Sequence, residues 1–210
     1  MGYALAAEAV ARGAEVILIT GPTHLAAPAG VQVVRVTTAD EMFRAALNQA
    51  QGADLILKAA AVADYRPEER SRAKIKKDAL RRQALRQGSG NRAISVRMVP
   101  THDILEELGR RKKPGQVLVG FAAETDHLGG NARRKLEKKN LDMIVANRIG
   151  APGSGFESDT NQALVLDRDG AEDEIPLMSK VDLARIILDR AERFLPERPR
   201  RRPVPAVVKR

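Results

Sequence analysis

"QVLVGFAAETDHLGGNARRKLEKKNLDMIVAN", Gln116 to Asn147, decides the fold. It opens with the strongest buried strand of the chain, Gln116 to Ala123, an almost unbroken apolar run. A basic helix follows around Ala132 to Lys139, and then a second β-rich run, Leu141 to Asn147. Strand, helix and strand in this order make a crossover unit, and crossover units build parallel sheets covered on both faces.

The same alternation extends in both directions. Upstream, Tyr3 to Arg12 has apolar residues at helical spacing and is closed by Gly13. "EVILIT" (Glu15 to Thr20) and "VQVVRV" (Val31 to Val36) are β-branched strands, and Thr38 with Glu41 forms a capping box for a helix carrying Met42, Phe43, Ala46 and Leu47. "DLILKAA" begins a further strand at Asp54, and Ala79 to Arg92 is a polar, basic loop. "AISVRM" (Ala93 to Met98) reads as a strand, and His102 to Arg111 as a helix capped by Thr101. Downstream, "QALVLDRDGAEDEIPL" folds back at Asp169 and Gly170, and Ser179 with Asp182 caps a last helix reaching Leu195. The expected architecture is a Rossmann-like α/β three-layer sandwich with a mostly parallel sheet. Residues 1–195 form the domain, and 196–210, "PERPRRRPVPAVVKR", form a basic tail too poor in apolar residues to bury a core.

Composition narrows the chemistry. Lys and Arg outnumber Asp and Glu by 36 to 27, a formal charge of +9 that favours anionic partners such as phosphates and nucleotides. Cysteine is absent, which removes disulfides, thiolate metal sites and a cysteine nucleophile. With no apolar run of bilayer length and no signal-peptide pattern, the expected location is the cytoplasm. Aromatic residues make up 3%, which argues against a base-stacking surface for single-stranded nucleic acid. His24, His102 and His127 lack the spacing of a zinc site, and no G-x-S-x-G, Walker A or complete G-x-G-x-x-G occurs.

Ligands of open α/β sheets bind beyond the carboxyl ends of the strands. "DLILKAAAVAD" ends there in small residues that let a planar ligand approach the backbone. Asp64 behind them either accepts from a base or ribose, or simply caps a turn. Lys74, Lys76 and Lys77 either neutralise a polyphosphate or belong to a solvated surface. "GFAAET" brings Phe121 and Glu124 to the same edge, where a phenylalanine is a ligand contact or a core residue. Lys135 and Lys139, with Arg134 and Lys138 nearby, share a helix face on which like charges repel unless an anion binds. Asp159 and Asn161 are either catalytic or ordinary turn residues before a strand.

Taken together, "MGYALAAEAVARGAEVILITGPTHL", "AAVADYRP", "KIKK", "GFAAET", "KNLDMIVAN" and "GFESDTNQALVL" stand in the order and approximate spacing of the phosphopantothenate-cysteine ligase family, also called phosphopantothenoylcysteine synthetase, which the sequence resembles from Met1 to Leu195. The resemblance implies CTP-dependent ligation of 4′-phosphopantothenate and L-cysteine through an acyl-cytidylate, with Mg2+ accompanying CTP. It implies a homodimer and a phosphopantothenoylcysteine decarboxylase partner, fused or separate. Ala59, Ala60, Ala61 and Asp64 match the segment that holds the nucleotide, and Lys74 matches the lysine tied to turnover of the acyl-cytidylate. Phe121, Lys135 and Lys139 match further nucleotide contacts. Val99, Pro100, Thr101 and His102 match another lining stretch, although "PTH" departs from the family's usual KNP-like wording. Family members also carry a strand and a Gly/Ser/Asn-rich loop before "MGYALA". The sequence begins at that helix, so the resemblance implies a sheet lacking its first strand and an impaired acyl site. The alternatives are an inactive nucleotide-binding remnant and a basic nucleic-acid-binding protein.

Overall fold

In the computed structural model, the described residues are 1–69, 71, 73, 74, 76, 96–124, 127–148 and 158–196. The expected tail beyond residue 196 and the expected loop at 79–92 lie outside them. The chain runs through α1 (Gly2–Ala11), β1 (Val16–Thr20), β2 (Val31–Arg35), α2 (Ala39–Ala50), β3 (Leu55–Lys58), β4 (Tyr65–Pro67) and β5 (Met98–Pro100). It continues through α3 (Ile104–Arg111), β6 (Val117–Glu124), α4 (Leu128–Lys138), β7 (Met143–Arg148), β8 (Thr160–Asp167), β9 (Glu172–Ser179) and α5 (Lys180–Glu192).

The Gln116–Asn147 stretch does what its pattern requires. β6 and β7 pair in parallel, with Val119 opposite Met143 and Phe121 opposite Val145. β3 joins the other edge of β6, also in parallel, while β8 and β9 complete a five-stranded sheet in antiparallel fashion. β1 and β2 form a separate parallel pair, and β4 and β5 a short antiparallel arm. The α/β class therefore holds, with the sheet divided into blocks.

Alternation along β6 sends its side chains to opposite faces. Val117 and Val119 pack with Leu5 of α1 and with Leu183, Ile187 and Leu188 of α5. Leu118 packs with Ile104, Leu105 and Leu108 of α3 and with Ala132 and Leu136 of α4, and Met42, Phe43 and Leu47 of α2 border the same cluster. These helices and the sheet between them are the layers of the sandwich. Arg12 fastens α1 to α5, bonding Glu192 at 3.0 Å and the Arg185 carbonyl at 3.1 Å.

At the start of β7 the wholly buried Asp142 accepts from the Leu118 amide at 2.7 Å, from Lys112 Nζ at 3.0 Å and from Arg168. A buried carboxylate survives when each oxygen is answered in this way. The arrangement fixes β7 against β6.

Several expectations need correction. The cap of α3 is Asp103, whose carboxylate accepts from the Glu106 amide at 3.0 Å, and not Thr101. The strand expected over Ala93 to Met98 is instead Met98–Pro100, with 93–95 outside the described residues. α4 begins four residues earlier than Ala132, at Leu128. α5 ends at Glu192, with a turn carrying the chain on to Leu195. β4 was not expected at all.

Candidate functional site

β3 delivers the chain to the carboxyl edge of the sheet at Lys58, and Ala59 to Asp64 then pass over that edge. A second loop comes to meet them. The Thr101 hydroxyl donates to the Ala63 carbonyl at 2.6 Å, and the Thr101 amide donates to the Asp64 carbonyl at 2.8 Å. Below this junction Arg66 pairs with Val99 and Tyr65 with Pro100 in the β4–β5 arm. The two sequence-predicted segments, 59–64 and 99–102, are thus stitched together. This is why Thr101 is not free to cap α3. His102 stacks on Phe43 of α2, with ring centroids 4.6 Å apart.

Asp103 comes next, and besides capping α3 it forms an ion pair with Lys139, Oδ2 to Nζ, at 2.5 Å. Lys139 belongs to the end of α4. Its approach depends on Gly109, where a Cβ would stand 1.8 Å from the Lys139 carbonyl oxygen. Asn140, at φ +51°, closes α4 and donates through Nδ2 to the Gly109 carbonyl at 2.9 Å. Burial would push the Asp103 carboxyl upward; the hydrogen bonds from Lys139 and the Glu106 amide, with the charges of Lys139 and Lys58, bring it below the usual 3.8.

Lys135, one turn before Lys139 on α4, is half-buried. Phe121 and Ala59 border the core cluster on the α1–α5 face, so each is partly a packing residue. Lys74 and Lys76 are exposed, Lys77 lies outside the described residues, and so does the side chain of Glu124. The structure therefore gathers Ala59 to Asp64, Val99 to His102 and Lys139, and leaves Lys74 exposed.

Asn161 is held within the sheet. It is buried, donating to Asn147 Oδ1 at 2.9 Å and accepting from the Gln162 amide at 3.1 Å. Asp159 is exposed, and its carbonyl accepts from the Lys180 amide. Among the described residues, no group of three or more His, Cys, Asp or Glu is placed to hold a metal ion. No helix among them is long and apolar enough to cross a membrane.

Sequence reasoning missed Lys58 and Asp103. Lys58 is half-buried, and its Nζ donates to the Ala60 carbonyl at 2.8 Å. The available signal was a charged residue ending the otherwise apolar "DLILK" strand.

Comparison with known proteins establishes the family. Residues 1–195 match the family of the DNA/pantothenate metabolism flavoprotein C-terminal domain. The chain is 44% identical over 189 residues to the coenzyme A biosynthesis bifunctional protein CoaBC of Bacillus subtilis, covering 90% of this chain and 43% of that protein. It is 39% identical over 195 residues to the CoaBC protein of Vibrio parahaemolyticus, covering 93% of this chain and 46% of that protein. The chain thus spans about half the length of these relatives. Its fold matches the crystal structure of a CoaBC C-terminal domain with a TM-score of 0.71 at 37% identity, covering 91% of this chain and 80% of the other. A Cab2 variant in complex with phosphopantothenate-cysteine shares the fold at 17% identity, with a TM-score of 0.60 over 79% of this chain and 54% of the other. The family model spans nearly the whole chain and the fold matches a CoaBC C-terminal domain, so the chain belongs to the DNA/pantothenate metabolism flavoprotein C-terminal domain family.

Proposed function

We propose that the chain joins 4′-phosphopantothenate to L-cysteine at the expense of CTP. The observation that carries this reading is the family match across residues 1–195. The relatives' role in coenzyme A biosynthesis and the phosphopantothenate-cysteine bound to Cab2 support it.

In this reading the substrate carboxylate attacks the α-phosphorus of CTP, the bond to pyrophosphate breaks, and an acyl-cytidylate forms. The cysteine amine then attacks the acyl carbon, CMP leaves, and the amide forms with loss of a proton. Activation is required because a free carboxylate is a poor acyl donor. Bringing two anions together requires cations and positioning.

Ala59, Ala60, Ala61 and Asp64 would receive the cytidine, with Val99 to His102 and Phe121 beside them. Lys135 and Lys139 would face the phosphates, and Lys74 would assist turnover of the acyl-cytidylate. Mg2+ would accompany CTP, neutralise charge on the triphosphate and keep part of its water shell, as this ion usually does. A homodimer, a cytoplasmic location and a decarboxylase partner belong to the same proposal.

The test is pyrophosphate release by the purified chain with CTP, Mg2+ and 4′-phosphopantothenate, before and after addition of cysteine. Release followed by cysteine-dependent turnover is expected. CTP binding with neither release nor turnover would overturn the ligase assignment in favour of a nucleotide-binding remnant.

A further inference from the structure

Alternation along β3 places Lys58 on the same face as Ile56, which packs toward the α3 and α4 cluster. Lys58 therefore lies on the face that α3 and α4 cover, and it is half-buried. Its ammonium has the capacity for three hydrogen bonds. The structure gives it one neutral acceptor, the Ala60 carbonyl at 2.8 Å.

The carboxylate that attracts it most is Asp103. That group is already engaged through both oxygens, by the Glu106 amide on Oδ1 and by Lys139 on Oδ2. Two lysines thus draw on one committed carboxylate, and Asp64 adds a weaker attraction. Burial pushes the Lys58 ammonium below the usual 10.5, and Lys139 pushes it the same way. An added negative charge would relieve this cost, whereas solvent reaches the group only in part.

We propose that Lys58 and Lys139 flank a phosphate-binding position at the carboxyl end of β3, with Lys58 moving its donors from the Ala60 carbonyl onto a phosphate oxygen. Lys58 then determines affinity for the phosphorylated part of a substrate. It also links that affinity to the Ala59–Asp64 turn, because engagement of phosphate releases Ala60. The ligand chemistry is a phosphate monoester or polyphosphate, and two substrates of the proposed reaction carry one: CTP and 4′-phosphopantothenate. Identification of those substrates rests on the proposed function, while the anion position rests on the side chains alone.

The test compares the full chain with Lys58→Met, which keeps the length and apolar stem, and Lys58→Arg, which keeps the charge. Titration calorimetry uses inorganic tripolyphosphate, CTP, cytidine and 4′-phosphopantothenate. Losing a charge-assisted hydrogen bond predicts roughly tenfold weaker tripolyphosphate binding in Lys58→Met, with Lys58→Arg restoring most of it and cytidine unaffected. A parallel loss for CTP alone assigns the position to the nucleotide, and a loss for 4′-phosphopantothenate alone assigns it to the acyl substrate. In the wild-type chain, tripolyphosphate should also protect Lys58 from amine-selective labelling read by mass spectrometry, which requires no variant to fold. Absence of tripolyphosphate binding, unchanged affinities in Lys58→Met, or unprotected Lys58 at saturation overturns the inference. Lys58-dependent tripolyphosphate binding without CTP binding would leave the anion position standing and remove the CTP reading.

Discussion

Gly109 illustrates how one missing side chain sets the geometry of the candidate site. Alanine there would gain helix propensity, worth about 0.5–1 kcal/mol in an exposed helix. Its Cβ, however, would sit 1.8 Å from the Lys139 carbonyl oxygen, and backbone must move to make room. Overpacking of this kind costs about 1–3 kcal/mol, so the clash wins. Gly109→Ala should lower the urea midpoint and weaken CTP binding together, because Lys139 is displaced from Asp103; a raised midpoint would show that the helices separate freely. Asp103 gives a pH prediction with a definite sign. Its folded value lies below the usual 3.8, so its contribution is complete above that value and is lost as pH falls through the lowered one. Acid unfolding of Asp103→Asn should therefore show a shallower loss of stability below pH 3.8 than wild type. Identical acid limbs would mean that the Lys139 pair contributes nothing to the fold.

The end of α4 repeats this logic at the level of an element. The Asn140 amide bonds the Glu137 carbonyl at 3.1 Å and the Leu141 amide bonds the Leu136 carbonyl at 2.9 Å, while Asn140 itself takes φ +51°. This is a Schellman closure with asparagine in the left-handed position. Asn140→Ala loses the bond to Gly109 and adds left-handed strain of about 1–2 kcal/mol, whereas Asn140→Gly loses only the bond. Thermal melts should rank wild type above glycine above alanine, and equal glycine and alanine melts would refute the strain argument. Local chemistry made some elements legible: the Thr38–Glu41 capping box and the Ser179 cap both form where the sequence places them. Tertiary contacts hid others. Thr101 and Asp103 are both good caps, and the bond from Thr101 to Ala63 decides between them. Gly129 and Gly130 conceal the first turn of α4, and a Cβ on Gly129 would meet the movable end of the Glu172 side chain at 2.9 Å, so space alone does not require that glycine. β4 exists by pairing with the distant β5 and has no local signature. The small-residue turn after β3 lies in one contiguous stretch of sequence, whereas the Asp103 and Lys139 charges around Lys58 come from elements far away in it.

For the whole molecule, the division of the sheet implies unequal stability. β6 and β7 have paired strands on both edges, and Val117, Val119, Met143, Ile144 and Val145 are fully buried. β1 and β2 pair only with each other among the described residues. Thr20 is the one buried residue of that pair, and α2 beside it contains no fully buried residue. Its ties to the rest run through α1, which packs on α5 and is held there by Arg12, and through α2, whose Met42, Phe43 and Leu47 border the α3–α4 cluster. Few buried apolar contacts and accessible backbone hydrogen bonds define regions that open below the global unfolding free energy. Hydrogen exchange should therefore release the amides of Val16–Thr20 and Val31–Arg35 first and those of Val117–Glu124 and Met143–Arg148 last. Arg12→Ala should widen the difference by loosening α1, with little change in the slow strands. Equal protection throughout would mean that the β1–β2 block and the five-stranded sheet open as one unit, and that α1 and α2 couple them more strongly than their contacts indicate.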